Sequence, residues 1–324
     1  MKSLKIKVKP LSSFGTKFQS DTLFGQFCWI YGYLNGFKKL EEILENVNEN
    51  RFIAFSDGFI NDLLPKPIIE PYKFEGSELK NAKEYKKTEF IKSDFLMKNR
   101  LDLRDKNIFD NWLKCKINSV EKNTDKSVTI TENILKNSIN RITGTTFDGQ
   151  LYNSEETYFN TDNTSITYYV KYNETIINIG ELKNIINLIG ELGFGKDAST
   201  GKGRYKLEEG DSSIIEEPEE LKYFDDANAF MTLSHGVPYD YNETESDCSV
   251  NYGKIITKFP KHGGFLSNGD YFKNPFVAYR PGSTFLIKNT ENVKDIYGKA
   301  LSNISRHGKN HIQGTFLMPF FIKI

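Results

Sequence analysis

Four glycines fall within eleven residues of this chain, in the run Gly193-Phe194-Gly195-Lys196-Asp197-Ala198-Ser199-Thr200-Gly201-Lys202-Gly203-Arg204. Glycine accepts positive φ freely and lets another group approach the main chain with no Cβ in the way. Interleaved with Lys196, Ser199, Thr200, Lys202 and Arg204, these glycines describe a cradle for a polyanion, met by main-chain N–H groups, hydroxyls and cations. The flanks restrict the kind of cradle. Upstream, Leu182, Ile185, Ile186, Ile189 and Leu192 recur at helical spacing, and downstream Arg204-Tyr205-Lys206-Leu207 alternates as a strand does. Mononucleotide and dinucleotide folds run strand, loop, helix, so the helix N-terminus that would receive a phosphate is missing here. The P-loop pattern also fails, because Lys202 is followed by Gly203. A helix C-cap accounts for one glycine, not for four with three cations.

The rest of the chain supplies a setting for this loop. Leu4, Ile6 and Val8 alternate with Lys5, Lys7 and Lys9, as in a half-buried first strand. Ser20 is placed to cap a helix carrying Leu23, Phe27, Ile30 and Leu34, with Asp21 in its first turn, and both residues suit helix stability by themselves. A second helix follows (Phe37, Leu40, Leu44, Val47), then strands near 52–55, 139–145 and 165–172. Strand, helix, two strands, helix, strand is the ferredoxin-like order. Periodicity weakens between about 75 and 135, an expected insertion. Within it, residues 80–100 hold seven Lys/Arg against three Asp/Glu, interleaved with Tyr85, Phe90 and Phe95. That mixture fits a single-stranded RNA surface and equally fits a solvated insertion with a small core of its own. Residues 208–226 hold nine Asp/Glu against one Lys and predict a self-repelling, solvated linker between domains. Beyond it, strand-like runs at 229–233, 254–259, 276–279, 284–287 and 315–324 predict a mostly β second half.

The sequence of motifs resembles a known family. Gly-aromatic-Gly, a hydroxyl-bearing spacer, Gly-basic-Gly and a strand resemble the signature loop of the RAMP superfamily of CRISPR RNA-binding proteins. Lys9-Pro10-Leu11-Ser12-Ser13-Phe14 and Gln19-Ser20-Asp21-Thr22-Leu23-Phe24-Gly25-Gln26-Phe27-Cys28-Trp29 resemble, more narrowly, the fourth Csm subunits of type III-A effector complexes. So do Phe55-Ser56-Asp57-Gly58-Phe59 with Leu64-Pro65-Lys66-Pro67, and Asn140-Arg141-Ile142-Thr143-Gly144-Thr145 with Leu151-Tyr152. Matches recur from residue 4 to about residue 205 and weaken beyond.

The resemblance implies an α+β protein of two ferredoxin-like (RRM-like) RAMP domains: residues 1–207 with the insertion at about 75–135, the acidic linker 208–226, and a degenerate, mostly β second domain over 227–324. It implies a cytoplasmic subunit that grips the repeat-derived 5′ handle of the crRNA and docks on the large polymerase/nuclease subunit and the backbone RAMP subunits. Target RNA is met only indirectly, and neither membrane nor cofactor is involved. On that basis Lys196, Lys202 and Arg204 pair with phosphates, and N–H groups between Gly193 and Gly203, with Gly195 and Gly201 among them, line the RNA backbone path. Ser199 and Thr200 bond sugar or phosphate. The turn bearing Ser12, Ser13, Ser20 and Asp21 becomes a lip of the groove. Arg141, on an expected β face, contacts RNA or forms a structural ion pair.

Charge and histidine content bear on function. Lys and Arg number 43, as do Asp and Glu, so any nucleic-acid site must be local. Three scattered cysteines read as neither a disulfide framework nor a zinc ribbon, which fits a reducing cytoplasm, and no run approaches a membrane span. Residues 1–234 contain no histidine, the side chain best suited to general-base work near neutral pH. His235 and His262 read as structural, and His307 with His311 lack the further ligands a metal needs. A non-catalytic RNA-binding subunit is therefore expected. The alternatives are a metal-independent crRNA-processing endoribonuclease using Tyr or Lys, and a small-molecule nucleotide binder.

Overall fold

Leu4, Ile6 and Val8 are fully sequestered at the centre of the larger sheet. The computed structural model describes residues 1–122, 128–210, 213–238, 247–263, 272–305 and 311–324. β1 (Lys2–Pro10) leads through the turn at 11–19 into α1 (Ser20–Asn35) and α2 (Phe37–Glu45). The chain returns as β2 (Ile53–Phe55) and β3 (Phe59–Ile60). β4 (Leu63–Pro65), α3 (Leu79–Lys87), β5 (Phe90–Lys92), α4 (Ser93–Asn99) and α5 (Asp105–Lys122) follow, then the long hairpin of β6 (Thr129–Ile139) and β7 (Thr146–Phe159). β8 (Ile166–Tyr172), α6 (Ile179–Leu192) and β9 (Tyr205–Leu207) complete the first half, and β10 (Ile214–Glu216) adds to it.

β1 and β8 pair antiparallel at the middle of this sheet, with Leu4 opposite Val170 and Val8 opposite Ile166. β2 and β3 lie beyond β8, and β9 and β10 lie on the other side of β1. α1 buries Leu23, Phe27 and Ile30, and α6 buries Leu182, Ile185, Ile186 and Ile189, as their spacing requires. The terminal members of each expected stripe, Leu34 and Leu192, are instead exposed, in the last turn of their helices.

Three expectations fail here for identifiable reasons. The acidic stretch is not a solvated linker: Ile214–Glu216 pairs with β1, Glu217 accepts from the Ser3 N–H at 3.0 Å, and Glu220 takes the Lys5 ammonium at 2.7 Å. The lysines of β1 supply the counter-charge that composition in a local window cannot see. Second, the region 139–145 is not a strand of the main sheet; β6 ends at Ile139 and the chain turns. The insertion therefore runs on past 135, through β7 to Phe159. Third, α1 is not capped by Ser20: Gln19 holds the cap position without a side-chain bond, and Ser20 is the first helical residue.

The second half contains β11 (Ala229–Thr232), β12 (Cys248–Tyr252), β13 (Ile255–Lys258), β14 (Phe276–Tyr279), β15 (Thr284–Ile287), β16 (Tyr297–Gly298), β17 (Phe316–Leu317) and β18 (Pro319–Ile322). Its main sheet is ordered β12, β15, β11, β18. No α-helix joins it among the described residues. The two halves share a core, in which Met231, Leu233, Phe316, Met318 and Phe320 belong to one apolar cluster with Ile6, Phe27, Phe55 and Val170, while Phe230, Phe285, Tyr297 and Phe321 form a smaller cluster within the second half. Among the described residues, no helix is long and apolar enough to cross a membrane.

Candidate nucleic-acid interface

The glycine loop turns back on itself. Gly193, Gly195, Gly201 and Gly203 all have positive φ, and Asp197 joins them at 62°. Phe194 N–H donates to Gly203 O at 2.8 Å, so the loop's two ends lie side by side. A Cβ on Gly203 would strike the Phe194 backbone, whereas one on Gly201 would meet open space. Gly203 is thus required by the loop's own closure; Gly201 faces outward.

This closure changes what the main chain can offer. The N–H groups of Gly193, Phe194, Thr200, Gly201, Lys202 and Gly203 donate to backbone carbonyls, the last to Ser13 O at 2.8 Å. Gly195 N–H donates to the Gln26 amide oxygen at 3.1 Å, Lys196 N–H to Thr16 Oγ1 at 2.9 Å, and Arg204 N–H to Ser12 Oγ at 2.9 Å. Among the described residues, only the N–H groups of Asp197, Ala198 and Ser199 remain open in the loop, where a one-turn 3-10 helix begins. The expected continuous N–H path is therefore reduced to one short stretch, and Ser12 and Ser13 brace the loop.

The hairpin takes up the loop's lysines. Lys196 Nζ donates to Ser154 Oγ at 2.9 Å, and Lys202 donates to Glu156, a residue only 3% exposed on β7. Lys136 on β6 lies 2.6 Å from Asp197 Oδ2 and 3.5 Å from Glu156 Oε1. The Asp197 hydrogen bond holds the Lys136 ammonium above its usual pKa. Arg204 and Ser199 are exposed, without a side-chain partner among the described residues, while Thr200 Oγ1 donates to Asp197 O at 2.8 Å. Arg141 is not on a β face: it sits in the turn at the far tip of the hairpin, away from the loop.

Beside the loop, sharing Phe14 and Thr16 with it, opens a cavity of about 490 Å³ between the two halves. Phe14, Phe18, Phe59, Phe90 and Phe159 supply its apolar wall, and Lys17, Lys66, Lys254 and Arg280 its cations. Of the basic and aromatic residues in 80–100, Tyr85 is instead buried, its hydroxyl donating to Asp105 and its ring packing on Phe109 and Trp112. Phe90 alone of the three aromatics reaches the cavity.

His235, which the sequence alone marks as structural, lines the same cavity with Nδ1 2.7 Å from Asp57 Oδ2. Burial by itself would raise the Asp57 carboxyl. His235, the Ser20 N–H and Lys258 outweigh it and hold the group below the usual carboxylate range. The sequence signal was Phe55-Ser56-Asp57-Gly58-Phe59, but nothing in it named a histidine 178 residues away. Ser20 and Asp21 face this seam and are buried: Ser20 Oγ accepts the His235 N–H at 3.2 Å, and Asp21 accepts from Lys258 at 3.0 Å. They are not at the loop's lip. His262 packs edge-on against His311 with ring centroids 4.9 Å apart. His307 lies outside the described residues, and the described ones form no group of metal-ligating side chains.

No protein-family model matches the chain, and no curated protein matches it in sequence. Solved structures do. Over 100% of this chain and 99% of the other, it superposes on Csm4 from a Csm3-Csm4 subcomplex of a type III-A CRISPR-Cas interference complex, at TM-score 0.60 and 21% identity. This is the fold of Csm4. Over the same shares of each chain, Csm4 of a Csm1-Csm4 cassette in complex with cA4 matches at TM-score 0.60 and 14% identity. The cassette in complex with pppApA matches at 0.57 and 13%. The mixed α/β architecture of this chain is accordingly the Csm4 fold.

Proposed function

We propose that the chain is a non-catalytic, RNA-holding subunit of a type III-A Csm effector complex, seated between backbone RAMP subunits and the large polymerase/nuclease subunit. Its two halves are two ferredoxin-like domains, the second reduced to its sheet. The observation that carries the RNA assignment is the placing of a closed glycine loop directly beside a cavity walled by phenylalanines and rimmed by cations from both halves. Single-stranded RNA is gripped by that combination, phosphates on cations and bases against aromatic rings. Arg204, Lys196 and the N–H groups of Asp197 to Ser199 take phosphates of the crRNA 5′ handle, and the cavity takes an unstacked base. Ser20, Asp21 and Arg141 make no contact with RNA at this site.

One observation favours a second reading, a metal-independent endoribonuclease. A histidine held by a carboxylate at a cavity is an arrangement suited to proton abstraction. Incubating the purified chain with repeat-derived RNA in EDTA separates the two. The expected result is intact RNA, bound with an affinity that falls when Arg204 is replaced by Ala. Cleavage at one position that disappears in His235→Ala establishes the nuclease instead.

A further inference from the structure

Glu156 stands where an anion is wanted. Its carboxylate accepts from Lys202 Nζ, from Ser13 Oγ at 3.4 Å and from Tyr158 Oη at 3.3 Å, with Lys136 Nζ 3.5 Å away. Ammonium groups and hydroxyls converging on two oxygens of one negative charge are equally the donors of a phosphodiester. The local charges also cancel: Lys136 and Lys202 face Glu156 and Asp197, so an arriving phosphate gains little at Lys202 unless a carboxylate gives way.

We propose that Glu156 is a built-in phosphate mimic, holding Lys202 in an occupied state until an RNA phosphate displaces it. The hairpin thereby gates the glycine loop. The inference rests on the RNA-holding reading above and adds regulation to the same site. The geometry allows the exchange without unfolding the hairpin. Its base is anchored next door by the Phe14–Thr157 pair, with both N–H···O bonds at 2.9 Å, so only the Glu156 side chain has to leave. In the gated state, Arg204 and, at the cavity, Lys17 and Lys254 remain available for first contact, while Arg280 is paired with Glu89 and Lys66 donates to Tyr85 O. Lys202 is added only once RNA has arrived, which favours a ligand long enough to bridge both.

The full chain and its Glu156→Gln variant test this, using a short unstructured single-stranded RNA titrated at several salt concentrations. Inorganic pyrophosphate serves as a separate probe, read by thermal midpoint. In the variant, RNA should bind about tenfold tighter, the weight of one charge-assisted hydrogen bond. The log–log salt slope should steepen by about 0.7, one further phosphate neutralised on a single strand. Pyrophosphate should raise the midpoint of the variant and leave the parent chain unmoved. In a Lys202→Met background the gain from Glu156→Gln should vanish. A folded variant with unchanged affinity, slope and pyrophosphate response overturns the mimic and leaves Glu156 a plain structural ion-pair partner. Should Glu156→Gln fail to fold, Glu156→Asp keeps the charge but withdraws it by one methylene, and must show part of the gain; no gain overturns the proposal. If neither chain binds RNA but pyrophosphate still stabilises the variant selectively, the RNA reading falls and the gated anion position stands.

Discussion

Gly201 and Gly203 are indistinguishable in sequence and opposite in consequence. Both have positive φ, 88° and 71°, so any side chain at either is strained. At Gly201 that strain is the whole cost, since a Cβ there has nothing within 4 Å. Gly201→Ala should lose about 1 to 2 kcal/mol in urea unfolding. At Gly203 the Cβ also collides with the Phe194 backbone, both its carbonyl and the N–H whose bond closes the loop, and Gly203→Ala should lose about 3 kcal/mol or more. Equal losses would show that backbone conformation alone selected these glycines. A glycine-rich run announces positive φ and close approach, and all of that was legible. What approaches was not: at Gly203 it is the loop's own Phe194. The lysines carry the same lesson. Their number predicted an anion site, but the partner of Lys202 lies 46 residues upstream, on a strand that the sequence reading did not delimit.

Elements whose apolar residues repeat at a fixed period were read correctly, and those stabilised by charge were not. β14 and β15 fall at the expected residues, and α1, α2 and α6 bury most of their expected stripes. The hairpin of β6 and β7 was missed because it packs little. Leu135, Ile139 and Leu151 are each at least 60% exposed, so alternation never marks a core face. β10 was hidden inside nine acidic residues. Its position depends on β1, and above all on Lys5, whose ammonium sits between Glu220 at 2.7 Å and Asp62 at 3.2 Å with little exposure to water. Tyr169 Oη also donates to Glu220, at 3.3 Å. Removing one charge of such a pair leaves the other buried and uncompensated, so Lys5→Met or Glu220→Gln alone should cost about 3 kcal/mol. The double variant should cost less than the sum of the two. A chevron or urea titration of all four chains measures that coupling, and strict additivity would mean that water reaches the pair and screens it.

At the scale of the whole molecule, the two halves are joined by a shared apolar cluster and by a polar seam, and the seam gives the fold a pH dependence. Asp57 with His235, Asp21 with Lys258, and Asp21 with Gln313 cross it. Lys273 lies against it from the second half, near Cys28 and Asp21 of the first. Among the described residues its ammonium meets no carboxylate directly, donating to Gln313 Oε1 at 3.1 Å and Ile312 O at 3.5 Å. Burial pulls its pKa down to about 8, only partly countered by Cys28 and Asp21. An unfolded lysine titrates near about 10.4. Between those values the unfolded chain holds a proton that the folded chain has released, so stability from this group rises with pH across the window. The rise amounts to about 3 kcal/mol if the whole shift is realised. Below pH 8 both states are charged and Lys273 is a constant burden on the seam. The Cys28 thiol, pushed up to about 12 by burial, acts in the opposite direction above its ordinary range and is present in either chain. Comparing the parent chain with Lys273→Met isolates the lysine. Near pH 7 the variant should be the more stable of the two, and its advantage should shrink steadily between pH 8 and 10. An advantage that is the same at both ends of that range would mean that Lys273 is solvated in solution, and that the halves open along this seam wide enough to admit water.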